Sequence, residues 1–261
     1  MGHTRLGTLP ATRSWNEVVG LVAEGADAAR VAEATANAWR LAFAKVQGDI
    51  GFREAIWWMT QLGVAAAQKN PVDHLASLGL EIGKSESVVE VAMALANAMD
   101  ERIDGSGKRS DFGELAERSL IAVVTENLQE RMPPLLPPNA DDVRSALGKL
   151  GSVKEFGQLS RSFFQKLTNE CLNYFLSKTM PAQVGASRRF ATAGQLEGFE
   201  KALATHCWEA SEIVEKFSGE WLSKNRYEGG GNIDRETAEK FGWFSLRKMQ
   251  LELETRARKH G

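Results

Sequence analysis

The chain has 261 residues, 43% of them apolar and 25% charged, with a formal net charge of −2. That length supports one large domain or two small ones around a substantial core, and the composition excludes an intrinsically disordered chain. The near-neutral balance argues against a surface coated for nucleic acid, and the two cysteines, Cys171 and Cys207, cannot build a disulfide framework.

In chain order, the opening stretch MGHTRLGTLPATRSW lacks the apolar centre of a secretory signal. Position 6, where N-myristoylation asks for Ser or Thr, is Leu6. Ser14 and Glu17 have the spacing of a capping box and open a first helix. An Ala-rich helix is expected over 27–46, and a third over about 52–68. Asn70 followed by Pro71 starts a short helix; Ser87 with Glu90 starts one that runs to about Ile103. Asp111 with Glu114 starts the next, ending near Arg131. The segment MPPLLPPNADD then breaks the pattern, because prolines stop a helix and stiffen a connection. A short helix follows over 141–150, and Ser152 with Glu155 caps a long one whose apolar face carries Phe156, Phe163, Leu167, Cys171 and Phe175. After the linker PAQVGASRR, one long helix is expected from about Gly194 to Lys224. The loop YEGGGNID leads to a last helix, capped by Asp234 and reaching about Lys259. Convincing strand patterns, a fixed repeat and a membrane-length apolar run of about 18 residues are all missing.

The expected fold is all-α, a multi-helix bundle of about nine or ten helices. One arrangement has a helical subdomain over 1–132, a Pro-rich connector over 133–139 and a second subdomain over 140–261. The alternative is a rigid loop inside one domain.

Four stretches hint at chemistry. DGSGKRSD contains the Gly107–Lys108 pair of a phosphate loop, but Arg102 and Arg109 stand where the motif needs Gly and Ser or Thr, and a helix precedes it. It reads as an interhelical turn. THCWEASE gathers His206, Cys207, Glu209 and Glu212, yet helix geometry puts Cys207 on an apolar stripe with Phe199, Leu203, Ala210, Val214 and Phe217. Cys207 and Cys171 therefore read as core. A hydrolase or transferase pairing one of them with His74 or His206 is a second alternative to the reading below. No Glu precedes any of the four histidines by three positions, so neither a carboxylate-bridged metal pair nor a zinc site is expected, and no cofactor is implied. The glycines before Asp234 read as a hinge rather than an anion cradle.

Basic residues gather in the linker (Lys178, Arg188, Arg189) and near the C-terminus (Arg256, Arg258, Lys259). If the clusters converged, they would face phosphates, which gives the first alternative function, a nucleic-acid-binding accessory protein.

The tryptophans carry the leading reading. On the third helix Phe52, Ile56, Met59, Leu62 and Ala66 share one face, with Trp58 at its edge. Trp57 is rotated about 100° from Trp58, among Arg53, Glu54, Thr60 and Gln61. Trp208 sits among Ala204, Thr205, Ser211 and Glu212; Trp243 among Glu239, Lys240, Leu246 and Arg247. Large aromatics on polar faces mark protein contact surfaces, and Leu6 and Leu9 in the N-terminal arm add apolar groups that need cover. The expectation is a non-enzymatic helical subunit that binds other proteins through Trp57, Trp208, Trp243, Leu6 and Leu9. Its expected setting is a reducing bacterial cytoplasm, with no membrane partner.

Overall fold

The computed structural model describes residues 13–46, 48–83, 87–133, 139–177 and 179–260. They form an all-α bundle: α1 (Arg13–Glu24), α2 (Ala28–Val46), α3 (Ile50–Ala65), α4 (Pro71–Ser77), α5 (Val88–Ser106), α6 (Asp111–Gln129), α7 (Ala140–Lys149), α8 (Val153–Leu176), α9 (Ala193–Ala210), α10 (Glu212–Glu228) and α11 (Arg235–His260). Among the described residues the extended pairing is limited to isolated bridges, such as Val184 with Phe190. None of these helices is long and apolar enough to cross a membrane.

Side-chain caps set most helix starts. Asp49, Asn70, Ser87, Ser110, Asn139, Ser152 and Thr192 each accept a backbone N–H of the first turn. Asp234 does the same for α11 by accepting from Thr237. Ser87 and Glu90 close a full capping box. Ser152 makes only half of one, because the Glu155 carboxylate pairs with Arg131 instead. The sixth helix is capped by Ser110, one residue ahead of Asp111, which accepts the Tyr174 hydroxyl at 2.6 Å.

Two expectations need correcting. The helix expected over 194–224 is two: the chain turns at Ser211, whose hydroxyl donates to the Trp208 carbonyl at 2.6 Å. The linker after α8 is ordered as a 3-10 turn, Met180–Gln183, closed by the Phe190 N–H donating to the Gln183 carbonyl.

Helix α3 is central. Nearly all its side chains are buried, Glu54, Thr60 and Gln61 among them, and α4, α5, α6, α7, α10 and α11 pack around it. Helices from both sides of the Pro-rich stretch meet: α6 lies on α8, and α11 on α2 and α3. The prolines at 134–138 lie outside the described residues. Two crossings depend on glycine. A Cβ at Gly51 would sit 2.5 Å from the Gly113 Cα, and one at Gly219 would sit 1.9 Å from the Val153 carbonyl oxygen. These contacts let α3 lie backbone to backbone on α6, and α10 on the start of α8.

Candidate functional site

The three flagged indoles have different surroundings. Trp243 is partly buried, its ring 4.6 Å from Phe52 and 6.4 Å from Phe112, with Nε1 3.4 Å from a Glu239 oxygen. Trp57 is also partly buried, and the Arg235 guanidinium lies 4.5 Å over it. Three of the four polar residues that make its side of α3 look solvent-facing, Glu54, Thr60 and Gln61, are themselves buried. Gln61 donates to the Ile233 carbonyl at 3.1 Å, and Glu54 meets Arg235. A helix surrounded by others buries more than one face, so a wheel drawn for one helix misplaces Trp57 and Trp243. Trp208 keeps 44% of its surface exposed, and the Arg161 guanidinium stacks 3.9 Å above it. Leu6 and Leu9 lie outside the described residues.

The basic clusters do not stand free together. Arg189 turns inward and donates to the carbonyls of Leu21, Val22 and Ala26, closing the C-terminal end of α1. Arg256 pairs with Glu209, Glu212 and Glu252. Arg188 is exposed. Lys178, and the side chains of Arg258 and Lys259, fall outside the described residues.

The thiol candidates lie in the core. Cys171 and Cys207 are fully buried, and burial pushes both thiols up, Cys207 to about 12, so each is protonated at neutral pH. His206 is buried on α9. His74 lines a separate shallow depression between α4 and α7, and burial lowers its pKa. Among the described residues no group of three His, Cys, Asp or Glu is placed to hold a metal ion. The Gly107–Lys108 stretch is the end of α5, a left-handed Gly107 at φ 65° and the Ser110 cap of α6.

What sequence reading does not anticipate is a cleft of about 630 Å³ where α3, α5 and the start of α11 meet. Glu54 comes from α3, Arg102 from α5, and Arg235 is the first residue of α11. The loop of Gly229, Gly230 and Gly231 delivers Arg235: the last two adopt φ of 61° and 98°, and Gln61 holds the Ile233 carbonyl just before α11. Arg235 Nη1 donates to Glu54 Oε1, and Arg102 Nε lies 3.7 Å from the same oxygen. The Glu54 side chain is only 4% exposed, while those of Arg235 and Arg102 are 41% and 61% exposed. Glu54 Oε2 is buried without a hydrogen-bond partner among the described residues, and so is Nε1 of Trp58, which also lines the cleft. Ile50, Leu78 and Ala98 add apolar wall. The composition REAIWWMTQ shows one acid within a hydrophobic helix, which is the only local signal of this place. Its partner Arg235 lies 181 residues away in sequence.

Among the described residues, fold and site together give a multi-helix bundle with a buried carboxylate beside a cleft flanked by arginines, and an exposed, arginine-stacked indole. No protein-family model matches the chain, and no curated protein or solved structure matches it either.

Proposed function

We propose that this chain is a non-enzymatic helical subunit that works by binding another protein through the face that carries Trp208. The observation that supports this reading is the pairing of Trp208 with Arg161. The indole is 44% exposed on its outer side and fixed on the other by a guanidinium at 3.9 Å. Arg161 is itself held, by Glu215 at 2.7 Å and by the Trp208 carbonyl at 3.2 Å. Tryptophan and arginine dominate contact energies at protein interfaces, and side chains already ordered lose little entropy on docking. Phe244 and Leu251 are exposed two turns apart on one face of α11, and Phe217 of α10 packs edge-on to Phe244 at 5.2 Å.

The test compares the tagged full chain with Trp208→Ala and with Tyr227→Ala, a control at an aromatic side chain 89% exposed elsewhere. Each is expressed in the native cells, purified, and its stoichiometric companions are identified by mass spectrometry. The expected result is a companion retained by wild type and Tyr227→Ala but lost from Trp208→Ala, at unchanged thermal midpoint. Identical companions for all three proteins, or none for any, would overturn the reading.

A further inference from the structure

We propose that the cleft between α3, α5 and the start of α11 binds a small zwitterion of the α-amino-acid class, its carboxylate on Arg102 and Arg235 and its ammonium on the free oxygen of Glu54. The geometry makes each half of that ligand necessary. Two guanidinium groups from different helices converge on one oxygen, Glu54 Oε1, and leave most of their N–H donors unused. Planar, forked donors placed side by side in this way suit a carboxylate. The second oxygen, Oε2, has no donor although it is buried. A buried carboxylate oxygen left bare is costly, and a charge-assisted N–H donor satisfies it best.

Net charge then separates a zwitterion from a simple anion. Glu54 and Glu101 balance Arg102 and Arg235 around the cleft, so the site gains nothing from a polyanion. Ile50, Leu78 and Ala98 offer apolar wall for a hydrocarbon side chain, and Trp58 Nε1 is a further unused donor. The volume of about 630 Å³ lies within the usual range of small-molecule sites. Arg102 provides the way in. Its side chain is 61% exposed and touches Glu54 only at 3.7 Å, so it can swing aside and return over a bound ligand. Arg235 is held more firmly, between Glu54 and the Trp57 ring.

The experiment is isothermal calorimetry of the full chain with L-leucine, L-phenylalanine, L-arginine and L-glutamate. Two half-molecules of leucine, 4-methylpentanoate and 3-methylbutylamine, and inorganic phosphate accompany them. Binding of the leucine or phenylalanine zwitterion at millimolar concentration or better is expected, with each half-molecule at least about tenfold weaker, a loss of roughly 1.4 kcal/mol. Arg102→Ala, at an exposed position, weakens the amino acid about tenfold and Glu54→Gln does the same. No heat from any amino acid at about 10 mM, near the weak limit of measurable affinity, overturns the proposal. So does binding of 4-methylpentanoate or phosphate as tight as that of the amino acid. The half-molecules are tested on the wild-type chain, so the outcome does not depend on either variant folding.

Discussion

Asp49 and Glu54 stand little more than a helical turn apart at the start of α3, the first half-buried and the second buried, yet their surroundings are opposite. Asp49 caps α3 through the Phe52 N–H at 2.9 Å, and its other oxygen accepts the Ser110 hydroxyl, which is itself the cap of α6. Two helix starts are thus tied together by one anion, over the point where Gly51 and Gly113 touch. Both Asp49 oxygens are used. Glu54 has one oxygen crowded by two arginines and the other bare, beside a cleft. An acid with both oxygens engaged is a joint; one left half-engaged beside a cleft is where a ligand can complete the set.

The joint can be broken in two ways. Gly51→Ala places a methyl against the Gly113 backbone, which cannot yield as a side chain would, and a loss of about 3 kcal/mol is expected, read as a lower urea midpoint. Retained stability would show that α3 and α6 can separate without loss. Asp49→Ala removes the cap and leaves the Phe52 N–H and the Ser110 hydroxyl unpaired, for an expected loss of about 1–2 kcal/mol. Asp49→Asn keeps an acceptor for the Phe52 N–H and should lose far less.

Other helix caps were legible in the sequence, but neither that joint nor the cleft was. Caps are local: Ser87 with Glu90, Asn70 with Pro71, and Asp234 are readable because donor and acceptor lie within one turn. Apolar stripes are local too, which is why Cys171 and Cys207 fall in the core as the spacing implies. The turn at Ser211 escapes because no proline or glycine marks it. Trp57 and Trp243 are misplaced because periodicity describes a helix with one neighbour, whereas α3 has several. Arg189 reads as a free cation in a linker, and only the folded chain brings the end of α1 to it. The Glu54 cleft depends on three helices meeting, and nothing within any one of them announces the other two.

The cleft side of the comparison sharpens with Glu54→Gln. Breaking a wholly buried ion pair costs about 3–5 kcal/mol. Here both arginines reach solvent, so they are rehydrated when the charge is removed, and a loss of about 1 kcal/mol or less is expected. A loss at the higher level would make Glu54 a second joint like Asp49 rather than a group awaiting a ligand.

A third carboxylate sets the pH dependence against which both are measured. Burial pushes the Glu117 pKa up to about 7, helped by repulsion from Asp100, Glu114 and Asp104 and opposed by Arg109. The folded state therefore holds this proton more tightly than the unfolded chain does. Its contribution to stability is complete below the ordinary carboxylate range and is lost as pH rises through about 7. Asp49 is shifted in the same direction, with burial outweighing the lowering by Ser110 and the amides of Phe52 and Gly51. Glu117→Gln should then flatten most of the fall in thermal midpoint between pH 5 and 8, and stand above wild type at the alkaline end. If Glu117→Gln falls with pH as steeply as wild type, the Glu117 carboxyl is hydrated in solution and does not carry the titration.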